Sequence, residues 1–356
     1  MENEGRITRI AYIIYFVIAA LFVVIRALSS FGLLNFLGDY GGYVFSFVIQ
    51  VVLLLGGSVF LFAKLTKQKT KQVLVNYGVI KISSKTIIWA IVAGAIVFFL
   101  NVFISSFFNS IISALGYTSE RAGRVISNYP VWLLFVNIIF TAVLPAICEE
   151  MAHRGMILRA SGKFGFIKAI LISSLLFGLL HLNIEQVFYA TLIGVYLGFV
   201  TMLSGSIIPA MIIHFMNNAL SVFLNYSAFK GLSFGSIFIK VNLMLSNNLF
   251  LGILFIIILV TLLMYALLYV SKKLVVSGAI DKLKKDREFL DRFYKRHAFF
   301  NETSSTAVNE TDGKIVQIVF GGVKIEKMDF VTKVMFCLTV SMLFVLTVFT
   351  FVWGVI

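Results

Sequence analysis

Residues 87–108 read IIWAIVAGAIVFFLNVFISSFF, without one charged side chain. A helix needs roughly 20 apolar residues to cross the hydrocarbon core of a bilayer, which is about 30 Å thick. This stretch therefore reads as one membrane span, and the rest of the chain repeats the pattern. Comparable apolar runs fall at about 10–28, 43–63, 131–150, 166–182, 185–203, 206–226, 249–270 and 334–355. The runs are continuous and do not alternate, which argues against a transmembrane β-barrel. Helices are then the only solution, because every backbone polar group in lipid must find a partner inside its own segment. The expected fold class is an all-α polytopic integral membrane protein with eight to nine transmembrane helices. Composition agrees. Hydrophobic residues make up 60% of the chain and charged residues 13%, against roughly 45–50% and 25% in soluble domains. A soluble protein with this composition could not cover its surface with polar groups.

The net charge of +14 raises nucleic acid as a partner, but that requires the charge on one compact face. Here the basic residues are spread among the segments between apolar runs, so no nucleic-acid partner is expected. Lys and Arg accumulate in cytoplasmic segments. With the N-terminus inside, the outer segments keep only Arg26, Arg121, Arg124, Lys230 and Lys240, leaving 25 of the 30 Lys and Arg on the inner side. The first run is long, and no A-x-A site follows it, so it reads as a retained span and not a cleaved signal. Cys148 and Cys337 lie far apart beside apolar runs and read as small buried residues, not a bridge.

The inner segment 272–333 differs in kind. Residues 281–296, DKLKKDREFLDRFYKR, mix charge and apolar positions at helical spacing. They fit either an amphipathic helix on the inner membrane surface or a solvated extension of the eighth span. Residues 301–313 read as a polar linker, and the N-x-T sequons at Asn301 and Asn309 fall on the cytoplasmic side by chance. The whole segment suits the docking of a cytoplasmic partner.

Ionisable groups at membrane depth cost roughly 2.5–3.5 kcal/mol each on insertion scales and need a reason to be there. In this chain they fall between 149 and 218: Glu149 and Glu150, His181, Glu185, and His214 with Asn217 and Asn218. If the fourth helix continues, Glu150 pairs with Arg154 one turn on. Glu149 then points about 100° away and faces something else. Phe177 and His181 share a face, as do His214 and Asn218. Each motif alone has a structural reading: a charge cluster ending a helix, a packed histidine, or interhelical hydrogen bonding. Together they bring a carboxylate, two imidazoles and an amide from separate helices to a common region. That set can activate water and stabilise an oxyanion. Glu185 reads either as a cavity residue or as an acid at a helix N-terminus, Asn217 as an interhelical donor, and Gly194 and Gly198 as a close-packing pair.

The three motifs, Glu149-Glu150…Arg154, Phe177…His181 and His214…Asn218, resemble the EExxxR, FxxxH and HxxxN/D signature of the CAAX protease and bacteriocin-processing family. This is the CPBP or Abi family, related to type II CAAX prenyl endopeptidases. The resemblance covers about 85–226 and includes the flanks FGLLHLNIEQ and GSIIPAMIIHFMNNAL. It divides the chain into a two-span region with a basic inner loop (1–84), a protease core (85–226), an outer loop and eighth span (227–271), the basic segment (272–333) and a last span (334–356). The resemblance implies an intramembrane endopeptidase with its site open to the cytosol. Glu149 would be the general base, with His181 holding the water or the substrate carbonyl. His214 and Asn218 would form the oxyanion pair, and Glu150 and Arg154 would support the helix and position Glu149. His153, at a variable motif position, reads as a bystander.

Members of that family are often named metalloproteases. His181, His214 and Glu149 could supply a zinc set. Yet there is no H-E-x-x-H, and Asn218 is a poor zinc ligand, so a metal-free reaction is favoured. The expected partners are membrane lipid and a membrane-associated peptide or protein substrate. The Ile-, Phe-, Lys- and Asn-rich composition suits an AT-rich bacterium, so the expected location is a bacterial plasma membrane, where peptide maturation or bacteriocin self-immunity replaces prenylated tails. The alternative is a non-catalytic membrane scaffold or regulator, such as a sensor partner. A transporter fits less well, because Pro145 and Pro209 do not fall in matching halves.

Overall fold

The computed structural model describes residues 2–33, 37–38, 41–118, 129–238, 240, 249–285 and 326–355. Among these the chain is helical, with no strand. The helices are α1 (Glu2–Ser30), α2 (Gly41–Thr66), α3 (Thr70–Asn76), α4 (Ser84–Ala114), α5 (Val131–Phe164), α6 (Phe166–Leu179), α7 (Ile184–Ser204), α8 (Ile208–Phe229), α9 (Leu249–Lys285) and α10 (Phe330–Val355). All but α3 and α6 are long and apolar enough to cross a membrane, giving eight spans among the described residues. The protein is an all-α polytopic membrane protein.

Two elements depart from the expected runs. The fifth run forms only the 14-residue α6, which at about 1.5 Å per residue falls short of the bilayer core. The fourth run, expected to end near 150, continues unbroken to Phe164. It does so because the charged residues beyond Cys148 find partners inside the bundle. Arg154, read as an inner-loop residue, is instead fully buried in this helix. The helix containing the eighth span runs on to Lys285. The remainder of the 281–296 segment, the linker 301–313 with Asn301 and Asn309, and Arg121 and Arg124 lie outside the described residues.

Contacts between helix ends show how the basic segments are arranged. Thr8 Oγ1 donates to the Ala160 carbonyl, and the Ile207 amide to the Gly78 carbonyl. The Thr86 and Ser277 hydroxyls meet at 2.8 Å. Lys163 pairs with Glu326 at 3.6 Å and Arg9 with Asp329 at 3.7 Å. The segments near 6–9, 64–86, 159–168, 272–277 and 326–333 therefore gather at one end of the bundle. Lys230 follows the far end of α8. Asp329 caps α10 through the Thr332 amide and hydroxyl. Burial pushes the Asp329 carboxyl up, but these two bonds and the Arg9 and Lys163 charges outweigh it and hold it below its ordinary value. The turn at this end needs Gly78, whose φ of +86° suits glycine; a Cβ there would lie 3.0 Å from the Gly205 carbonyl oxygen.

Two apolar cores flank the middle of the bundle. One packs Tyr12, Tyr15 and Ile18 of α1 with Leu54 of α2, Met156 of α5, Leu176 of α6 and Leu343 of α10. The other packs Ala93 and Val97 of α4 with Leu197 of α7, Ile213 of α8 and Leu267 of α9. Small residues let the helices between them approach closely. A Cβ on Gly94 would lie 2.5 Å from Met216, and one on Gly178 would lie 2.9 Å from the Val187 carbonyl oxygen. Gly194 and Gly198 face Ser174 and Ile170 of α6, as their spacing predicts. Beside the site the backbone leaves the α register. Val48–Leu61 of α2 and Ile139–Val143 and Met151–Ile157 of α5 are π-helical, a geometry often found at functional sites.

Candidate active site

Glu149 and Glu150 lie in an α-helical turn between the two π-helical stretches of α5. As their 100° offset predicts, they face different partners. Glu150 is fully buried. Its Oε1 accepts from the Arg154 guanidinium at 2.9 Å and from Nδ1 of His214 at 2.9 Å. Arg154 also donates to the Gly194 carbonyl at 3.1 Å and lies 4.4 Å over the Phe177 ring. A charge this deep survives only when paired and hydrogen-bonded. The pair is made through Glu150 Oε1, while Glu150 Oε2 and Arg154 Nε have no partner among the described residues. The cluster ties α5 to α6, α7 and α8.

Glu149 faces the other way, onto a cavity of about 210 Å³. The cavity walls are Phe22 of α1; Phe45, Ser46, Ile49, Gln50 and Leu54 of α2; and Phe177, Leu180 and His181 at the end of α6. Glu149 Oε1 accepts from Nε2 of Gln50 at 2.6 Å. Its Oε2 lies 3.9 Å from Nε2 of His214. His214 thus hydrogen-bonds Glu150 through Nδ1 and turns Nε2 toward Glu149 without reaching hydrogen-bond distance. His181 donates from Nδ1 to the Phe177 carbonyl at 2.9 Å, which leaves its Nε2 available on the cavity wall.

Phe177 is the hub of this arrangement. Its ring meets the rings of His153, His181 and His214 near the perpendicular, with centroids 5.1, 5.2 and 5.6 Å away. Edge-to-face packing of this kind fixes ring orientation. His153 is fully buried. Its Nδ1 donates to the Glu149 carbonyl at 2.7 Å, and since that acceptor requires the proton on Nδ1, the Tyr15 hydroxyl donates to Nε2 at 2.8 Å. His153 therefore braces the backbone of Glu149 against the first span.

Asn218 lies one turn beyond His214 and does not line the cavity. Its Nδ2 donates to the Thr141 carbonyl at 3.0 Å, and its Oδ1 accepts from Asn217. Thr141 lies in the π-helical stretch of α5, and Asn218 thereby ties α8 to that stretch. Asn217 in turn accepts from Asn101 of α4, so it crosses that interface as an acceptor and not as the donor expected. Glu185 is buried in the first turn of α7, away from the cavity wall. Cys148 is buried and Cys337 exposed, and both are free thiols.

His181, His214 and Glu149, the candidate zinc set, are not gathered as one ligand cluster. Among the described residues no three His, Cys, Asp or Glu side chains converge as metal ligands. Both imidazoles pack on the Phe177 ring, and each commits its Nδ1, His214 to Glu150 and His181 to the Phe177 carbonyl.

Sequence reasoning missed Gln50 and Tyr15. Both belong to the first two spans, which carry none of the signature motifs. Gln50 had a readable signal, a lone amide inside the apolar run VIQVVLLL. Tyr15 had none, since tyrosine is common in spans.

Fold and site together define a multi-pass membrane protein with a carboxylate–imidazole cluster inside the bundle. Residues 130–220, from the start of α5 to the middle of α8, match the family described as Type II CAAX prenyl endopeptidase Rce1-like. The match agrees with the resemblance to the CAAX protease and bacteriocin-processing family and supports a CAAX-type intramembrane protease fold. No curated protein and no solved structure matches the chain.

Proposed function

We propose that this protein is an intramembrane endopeptidase that cleaves a membrane-associated peptide or protein with water activated by Glu149. One observation carries the reading. On a cavity wall, Glu149 has one carboxylate oxygen held by Gln50, the other turned toward His214, and the open nitrogen of His181 lining the same cavity. A water against Oε2 gives its proton to Glu149 as its oxygen attacks the scissile carbonyl. His181, when protonated at Nε2, donates to the oxygen that becomes negative. The proton on Glu149 then passes to the leaving amine. Glu150 and Arg154 hold His214 and the helix in place. The oxyanion role that the resemblance implies for Asn218 would fall to the second hydrogen of its amide, the first being given to the Thr141 carbonyl.

In this reading the basic end of the bundle faces the cytosol of a bacterial plasma membrane, and the cavity, lined by Phe22, Phe45 and His181, sits roughly 20 Å or more along α1, α2 and α6 from that end. The donor set favours a metal-free reaction. Purified enzyme dialysed against a chelator should keep its activity, and loss restored by zinc would reverse that assignment. The main test compares peptide termini in membranes of cells carrying wild type or Glu149→Ala. A terminus produced only by wild type names the substrate, and cleavage should fall at least about 100-fold in the variant. Identical termini in both, with the protein expressed, would sink the protease reading.

A further inference from the structure

We infer that Gln50, on the second span and outside the matched segment, is a positioning residue for the catalytic base; this rests on Glu149 being that base. A carboxylate can only accept hydrogen bonds, so the amide must present Nε2 to it. That bond, at 2.6 Å, occupies Glu149 Oε1. The amide oxygen of Gln50 then points elsewhere; it is buried and has no hydrogen-bond partner.

An amide inside an apolar span is costly, and a buried acceptor without a partner adds to that cost. Gln50 is 8% exposed, between Ile49 and Val51. Leucine or methionine would pack there without either penalty. What the glutamine supplies is its bond to Glu149. Glu150 has its own holders in Arg154 and His214, so Gln50 acts on the cavity-facing carboxylate alone. With Oε1 taken, Oε2 is the oxygen left toward His214 at 3.9 Å. Gln50 therefore selects which oxygen meets the water. It also makes the first 84 residues part of the catalytic unit, not an accessory to it.

The test uses full-length protein in lipid nanodiscs and compares wild type with Gln50→Met, similar in length but without a donor, and with Glu149→Gln. On a quenched fluorescent peptide spanning a wild-type-only cleavage site, Gln50→Met should lower kcat at least tenfold. KM should stay within about twofold and the thermal unfolding midpoint should not fall. Wild-type kcat in Gln50→Met, with Glu149→Gln inactive, overturns the positioning role alone. So does a lower kcat explained by an equal loss of folded protein. Full turnover by Glu149→Gln would instead overturn the reading of Glu149 as base.

A second arm needs no substrate. Dicyclohexylcarbodiimide, an apolar reagent, adds to a carboxyl group: the carboxyl oxygen bonds to the central carbon and the proton passes to a carbodiimide nitrogen. Freed of Gln50, Glu149 should be modified at least fivefold faster than in wild type, as read by mass spectrometry of the peptide. Equal rates in wild type and Gln50→Met would overturn the proposal.

Discussion

Helices α7 and α8 and helices α9 and α10 are all membrane spans, yet they solve opposite problems. The α7 and α8 spans are the two least apolar of the eight and are 44% and 39% buried. Those of α9 and α10 are strongly apolar and only 11% and 17% buried. In water the more apolar helix would take the interior. In lipid the tails are as apolar as leucine, so nothing drives an apolar helix inward, while polar groups must leave the hydrocarbon. His214 and Asn217 turn into the bundle accordingly. Leu262, Leu268, Phe344 and Phe349 face outward, and Thr261 of α9 satisfies its own hydroxyl at the Ile257 carbonyl one turn back. Across these four spans burial tracks polarity, and the buried polar residues of the bundle include Glu150, Arg154 and His214 of the site.

Three substitutions can break or sharpen that contrast. Arg154→Ala strips Glu150 of its ion-pair partner while leaving the carboxylate buried. Removing one member of a buried pair costs about 3–5 kcal/mol, so unfolding in detergent should show the largest loss here. The double variant Glu150→Leu/Arg154→Met should recover much of it; no recovery would mean that the pair holds the helices in some other way. Asn218→Ala removes the bond to the Thr141 carbonyl and should cost about 0.5–1.5 kcal/mol. If turnover falls no further than the folded fraction, Asn218 is structural; a much larger fall restores the oxyanion role. On the lipid face, Phe344→Ala should move stability by no more than about 0.5 kcal/mol. A loss of several kcal/mol at Phe344 would show that α10 packs against something other than lipid and end the comparison.

The fold was legible wherever the sequence spoke through bulk apolarity. Most spans fell where the runs placed them, because bilayer thickness fixes the length of apolar sequence a crossing needs. The run at 166–182 misled because apolarity does not say where a helix stops: α6 ends at Leu179, and Leu182 then takes a positive φ of 49° in the turn to α7. The fourth span misled in the opposite direction. Glu149, Glu150, His153 and Arg154 look like the end of a membrane helix when counted one by one. Paired with one another and with neighbouring helices, they let α5 continue from Met151 to Phe164.

The residues of the site were partly legible for the same reason, since an ionisable group in an apolar run stands out. Glu149, Glu150, Arg154, His181 and His214 do come together. Their partition did not follow from spacing. That His214 bonds Glu150 while turning its other nitrogen toward Glu149, that Phe177 seats three imidazoles, and that Asn218 serves the Thr141 carbonyl all depend on which helix lies beside which. By itself the sequence determined that this is a bundle of apolar helices with charge confined to a few depths, because transfer into lipid is a property of each residue. Only the tertiary structure decided that Gln50 and Tyr15, from spans without a motif, complete the surroundings of Glu149. Hydrogen bonds are directional and short, and partners about 100 residues or more apart in sequence can be matched only once the helices are packed.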